Sequence, residues 1–227
     1  MNVKVRVLAG GLAGCATVAV CSCGSSAPAE PDAATLASTA QHAVQQATSV
    51  HVDGQVSDNG TPVGINLGIN RQGDLSGTVA ENGANLNVIS DGGKVYVKAT
   101  PEFLKQAKAP SSACSLVCGK WIQLPPAEAN QITSQLTMKN LTGGTSGTSS
   151  TSPVTEAGTT TVNGKSAWVL KGADGNLVDV SSQGTPYPLR VRSGHGGQGQ
   201  ILYSQWNSVP KPTVPPANQI INLNGLR

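Results

Sequence analysis

Bulky aromatic side chains are nearly absent from this chain, which holds one Phe, three Tyr and three Trp among 227 residues. Any core must therefore be built from Val, Ile, Leu and Ala. Charge is scarce as well: Asp, Glu, Lys and Arg make up 12% of the residues, 15 basic against 12 acidic, which excludes the basic patch that nucleic acid requires. Gly, Ser, Thr, Asn and Gln are abundant instead, a balance that favours strands and turns over helix bundles. The three His, at positions 42, 51 and 195, stand apart from Cys114 and Cys118, so neither a metal site nor a cofactor is expected. Catalytic signatures are lacking too. No HExxH or Walker loop occurs, and Gly144-Thr-Ser146-Gly-Thr148 ends in Thr where a nucleophile elbow needs Gly, so no enzyme is expected. Gly194-His-Gly-Gly-Gln-Gly199 has the spacing of a dinucleotide fingerprint, but a strand pattern follows it where a helix is needed. It reads as a hairpin loop with an exposed His195.

No apolar run reaches the roughly 20 residues of a transmembrane helix. An uncharged stretch of mostly small or apolar residues, Val7 to Ser22, follows Lys4 and Arg6 and ends at Cys23, after which comes the polar run Gly24-Ser-Ser-Ala-Pro28. This is the pattern of a bacterial lipoprotein signal, cut before a cysteine that then carries acyl chains such as palmitate. Two cysteines compete. Leu12-Ala-Gly-Cys15 fits the usual lipobox better, yet cleavage there leaves a hydrophobic region of only Val7 to Gly14, whereas cleavage at Cys23 leaves a flexible polar tether. Cys23 is preferred, with Cys15 the alternative. The expected organisation is a signal peptide over 1–22, a tether over 23–31 and one domain over 32–227, moored by its lipidated cysteine to the extracytoplasmic face of the cell membrane. Loss of Lys4 and Arg6 with the signal takes the formal charge from +3 to +1. Cys21 leaves with it, so Cys114 and Cys118 are the remaining thiols, and an oxidising compartment pairs them. So small a loop is worth only about 2 kcal/mol in chain entropy.

Along the domain, Asp32 is a helix cap and Leu36, Ala40, Val44 and Ala47 recur at helical spacing, predicting a helix over about 33–48. From Val50 the period changes to two. Val52 and Val56, then Val63, Ile65, Leu67 and Ile69, then Leu75 and Val79, Leu86 and Val88, and Val95 and Val97 alternate with polar residues or Gly. Turn signals stand between them at Asp58-Asn59-Gly60, Gln72-Gly73-Asp74, Asn82-Gly83 and Asp91-Gly92-Gly93. Thr100-Pro101 starts a short helix carrying Leu104, and Pro110 and the Cys loop follow it. After a strand over 120–124, Pro125-Pro126 opens a further helix with Ile132 and Leu136 one turn apart, running towards Lys139. Residues 142–153 are a low-complexity Ser/Thr/Gly stretch. Strand patterns resume over 159–162, 167–171, 177–181, 188–192 and 200–206, and Gln219 to Leu223 reads as an edge strand after an extended proline-rich tail. The fold class is α+β: a single curved antiparallel sheet with helices on one face.

In order along the chain, these pieces resemble the mycobacterial LppX/LprA/LprF/LprG lipoproteins and, more distantly, the LolA/LolB lipid carriers. The residues that carry the resemblance are the lipobox and tether, the first helix, Gly93-Lys-Val-Tyr-Val-Lys98, Gly119-Lys-Trp-Ile-Gln-Leu124, Thr160-Thr-Val-Asn-Gly-Lys165, Pro186-Tyr-Pro-Leu-Arg190 and Tyr203-Ser-Gln-Trp-Asn207. The Cys114/Cys118 pair and the Ser/Thr-rich stretch have no counterpart in that pattern. The resemblance implies a LolA-like half-barrel whose concave face, closed by helices, holds the acyl chains of a lipid or glycolipid in transit. Candidate lining residues are Val52, Ile65, Leu67, Val79, Leu86, Val88, Val95 and Val97 on the strands, with Leu104, Ile132 and Leu136 on the short helices. An aliphatic inner face is also what an ordinary packed sheet has. A monomer is expected, with acyl lipid or glycolipid as ligand, or else an envelope transporter or other protein as partner. Trp121, Trp168 and Trp206 fall on strand patterns and are expected to pack, and Lys105, Lys108 and Lys139 are candidates for meeting a phosphate headgroup at the mouth.

Overall fold

The computed structural model describes residues 32–58, 61–81, 83–106, 108–110, 112–143, 154–193 and 199–222. Cys15, Cys23, the 23–31 tether, residues 144–153 of the Ser/Thr-rich stretch and His195 lie outside the described residues. Helix α1 (Ala33–Gln46) begins where the Asp32 carboxylate accepts the Thr35 backbone N–H at 2.9 Å, satisfying a donor that has no partner within the helix. Leu36, Ala37, Ala40 and Ala43 form its buried stripe. Five strands follow, β1 (Ser49–Asp58), β2 (Thr61–Asn70), β3 (Leu75–Glu81), β4 (Ala84–Asp91) and β5 (Lys94–Ala99). Next come α2 (Pro101–Gln106), α3 (Ala113–Val117), β6 (Trp121–Gln123), α4 (Pro126–Gln135) and α5 (Met138–Thr142). A second run of strands comprises β7 (Thr155–Val162), β8 (Lys165–Lys171), β9 (Leu177–Ser181), β10 (Pro188–Arg192) and β11 (Gln200–Ser204), and β12 (Ile220–Asn222) closes the chain's described part.

Four local expectations need correction. The single helix expected from Pro125 towards Lys139 is two, because Leu136 leaves helical geometry (φ −89°, ψ 62°) and the Thr137 hydroxyl then caps α5 by accepting the Asn140 N–H at 3.1 Å. A Thr at a helix start competes with continuation of the helix before it. The Cys114–Cys118 segment is a helical turn rather than a loop, with its two sulfurs bonded as expected. Trp206 lies in the turn after β11 rather than on the strand, and Thr142, expected in the low-complexity stretch, is buried in the last turn of α5.

All twelve strands belong to one unclosed, highly curved sheet in the order β12-β6-β5-β4-β3-β2-β1-β11-β10-β9-β8-β7. Every pairing is antiparallel except that of β12 with β6. Strand β1 joins the two meanders, pairing with β2 from Ser49↔Asn70 to Asp58↔Thr61 and with β11 from His51↔Ser204 to Gln55↔Gln200. Two glycines on the inner face let neighbouring backbones approach where the sheet bends. A β-carbon at Gly54 would lie 2.1 Å from the Gln200 carbonyl oxygen, and one at Gly77 would lie 2.0 Å from that of Asn66. Only glycine fits there.

The proline-rich tail straps the convex side. It leaves β11 through the Asn207 N–H, which donates to Ser49 O at 2.9 Å, and the Lys211 ammonium meets Asp91 at 3.0 Å on its way to the far edge of the sheet. Val209 occupies the space above Gly68, where a β-carbon would come within 2.7 Å of its Cγ1.

Candidate functional site on the inner face of the sheet

Strand alternation, fixed by the registers, puts one set of aliphatic side chains on the concave side. Val97, Val88, Gly77, Leu67, Val52 and Tyr203 stand opposite one another from β5 across to β11. The adjacent row, nearer the β1–β2 turn, runs through Leu86, Val79, Ile65, Gly54, Ile201, Val191, Val178 and Leu170. Helices cover this side in two groups. Ala129, Ile132, Leu136, Met138 and Leu141 of the α4–α5 segment pack on the first row, and the Tyr203 hydroxyl donates to the Leu141 carbonyl at 3.1 Å, tying α5 to the sheet. Burial raises the Tyr203 hydroxyl pKa well above the usual phenol range. Helix α1 covers the other half, with Leu36, Ala37 and Ala40 against Leu170, Val178 and Val180. Helix one therefore lies on the concave face.

The eleven residues read from sequence as cavity lining divide by depth. Val52, Leu67, Val88 and Val95 are completely buried and Val97 is 6% exposed, all inside one core cluster. Ile65, Val79, Leu86, Ile132 and Leu136 pack against that cluster but keep part of their surface open. Leu104 is half-buried on α2. The structure thus brings ten of the eleven together, closed at depth and half-covered towards the β1–β2 end.

A separate opening lies at the other end of the inner face, where the two helical groups fail to meet. It encloses about 520 Å³. Helix α1 presents Gln41, Val44 and Gln45, which share one side of the helix, while Thr137, Met138, Lys139 and Thr142 face them from α5 and its cap. Arg71, from the β2–β3 turn, completes the rim. Its Nε donates to Ala47 O at 3.0 Å and its Nη2 to Ala47 O at 2.5 Å and also to Gln45 O, so it caps the carbonyl end of α1. Of this group, only Lys139 was singled out from sequence as a headgroup contact. Lys105 and Lys108 belong to the α2 region and do not line the opening. Sequence pattern held no signal for Arg71, because a lone basic residue in a turn is ordinary.

The convex face carries the polar complement. Asp179 is fully buried there between Arg190 (2.5 Å) and Arg192 (2.6 Å), the pairing that keeps a buried carboxylate tolerable. His51 bridges Asn66 and Ser204 across three strands. Among the described residues no group of three or more His, Cys, Asp or Glu is placed to hold a metal ion, and no helix is long and apolar enough to cross a membrane.

With this geometry in hand, solved structures can be compared. LprF from Mycobacterium bovis superposes with a TM-score of 0.52 at 14% identity, over 80% of this chain and 97% of that one. The fold is the one LprF adopts. The lipoprotein LppX from Mycobacterium tuberculosis aligns over the same shares at 16% identity with a TM-score of 0.48. MucB of Pseudomonas aeruginosa, solved with MucA, is more distant, with a TM-score of 0.33 over 82% of this chain and 59% of that one at 16% identity. No protein-family profile matches the chain, and no curated protein matches it in sequence. The LprF-like sheet accounts for the half-barrel expected from sequence, with its helices on the concave side.

Proposed function

We propose that this protein is a non-enzymatic, extracytoplasmic lipoprotein, anchored through Cys23, that binds and carries acylated lipids or glycolipids on the concave side of its sheet. Exposing a methylene to water costs about 0.8 kcal/mol, so a sixteen-carbon chain costs on the order of 12 kcal/mol to move through water unaided. A carrier must offer apolar surface that its own side chains leave uncovered. The observation that carries the reading is the incomplete cover over Ile65, Val79 and Leu86, aliphatic groups on an inner face floored in part by Gly54 and Gly77, with Ile132 and Leu136 of the covering helices also partly open. The short helices α4 and α5, broken at Leu136, are the natural elements to shift and admit a chain.

Native mass spectrometry of the purified protein after exposure to envelope lipid extract tests this: bound acyl lipid is expected. Leu86→Trp, which fills the half-covered region, is expected to reduce the bound fraction severalfold without unfolding the sheet. A bare mass throughout would refute the carrier reading. A second reading, a protein-binding envelope lipoprotein with a packed sheet, draws on the complete burial of Val52, Leu67, Val88 and Val95. Bare protein combined with specific capture of an envelope protein would favour it. Anchoring is tested separately: Cys23→Ala is expected to release the protein from the membrane fraction, whereas release by Cys15→Ala instead would move the acylation site.

A further inference from the structure

We propose that the opening between α1 and α5 selects amphiphiles whose head carries a phosphate-type anion, with Arg71 and Lys139 flanking the head and Val44 and Met138 meeting the first methylenes. This rests on the carrier reading and names the ligand class for it. Three observations converge. First, among the described residues the lining is one-signed: it contains two cations, amides and hydroxyls, but no carboxylate. Two cations that no carboxylate of the lining neutralises, at the rim of a partly enclosed pocket, attract an anion more strongly than the same charges in open water. Second, the two cations are held differently. Arg71 is fixed to the last carbonyls of α1 through Nε and Nη2, bonds in which its Nη1 takes no part, while Lys139 is exposed and has no ion-pair partner among the described residues. A preorganised fork and a mobile point charge are complementary ways of gripping a phosphate. Third, at about 520 Å³ the space is of the size that takes small organic ligands, more than a bare oxyanion fills, and its floor is apolar: Met138 is only 9% exposed and Val44 half-buried.

The same chemistry is offered by a lipid headgroup and by free phosphate, and three probes on the purified full chain separate them. Dioctanoyl phosphatidic acid, dioctanoylglycerol and inorganic phosphate are each titrated below micelle formation and followed by calorimetry. The expected result is that phosphatidic acid binds about fivefold or more tighter than the neutral diacylglycerol, the order of effect that an exposed charge pair supplies. The preference should shrink at high salt. Lys139→Gln is expected to remove most of it, and Lys139→Glu to reverse it. Equal affinities for the two lipids, or an unaltered preference in both variants, would overturn the anion selection while leaving the carrier reading intact. Inorganic phosphate binding as tightly as phosphatidic acid would overturn the amphiphile assignment. Failure of both lipids to bind would sink the carrier reading and this one with it.

Discussion

At the residue scale, curvature depends on positions that carry no side chain at all. Gly77 faces inward between Leu67 and Val88, so its side of the alternation ought to hold an aliphatic residue, but the backbone of β2 already occupies the place of its β-carbon. Gly77→Ala is expected to destabilise the protein by roughly 1–3 kcal/mol, read from denaturant midpoints, since the new methyl requires the two strands to part. A loss near zero would mean that the bend is not made there. Asp179 makes the opposite point: a charge that looks routine in β9 is fully enclosed, and it is tolerable because β10 brings Arg190 and Arg192 to the same carboxylate. Nothing in the local pattern distinguishes it from an exposed strand aspartate, because its partners come from the next strand.

At the element scale, local chemistry was readable wherever it closes within a few residues. The Asp32 cap, the Pro125-Pro126 helix start and the turns between β2 and β5 all act over such spans, and each lies where the sequence predicts. The hydrogen bonds Asp32 accepts from the Thr35 N–H and hydroxyl hold its carboxyl below the ordinary aspartate value. A lowered carboxylate pKa adds stability above the unfolded value near 3.9 and loses it as pH falls through the folded one. Asp32→Ala should therefore lower the melting temperature at pH 7 and converge with the parent protein at strongly acid pH; a difference that persists there would show that the cap acts through something other than charge. The break at Leu136 was not readable, because Ile132 and Leu136 suit a continuing helix and the Thr137 cap prevails only when Met138 and Leu141 have a sheet to pack on.

At the scale of the whole molecule, the tail links the middle of the sheet to one of its edges along the convex side. It runs from β11, past Ser49 and Asp91, to β12, which lies parallel to β6. Gly68→Ala tests this strap without disturbing the inner face: the methyl points into Val209, and the expected consequence is faster amide exchange in β12 and β6 with exchange in β1 and β2 little changed. Uniform protection throughout would indicate that the tail tolerates displacement.

Composition and period determined that this chain forms a long aliphatic antiparallel sheet with one amphipathic helix and several short ones, because alternation, capping and turn chemistry are written in neighbouring residues. Which aliphatic side chains are sealed and which stay half-open, and which polar groups frame the gap between α1 and α5, only the tertiary structure decided. Val52 and Ile65 look alike in sequence, yet one lies beneath the helical cover and the other beyond its reach. Arg71 and Lys139 are 68 positions apart in the chain and meet at one pocket only because the sheet curls and the helices stop short of each other.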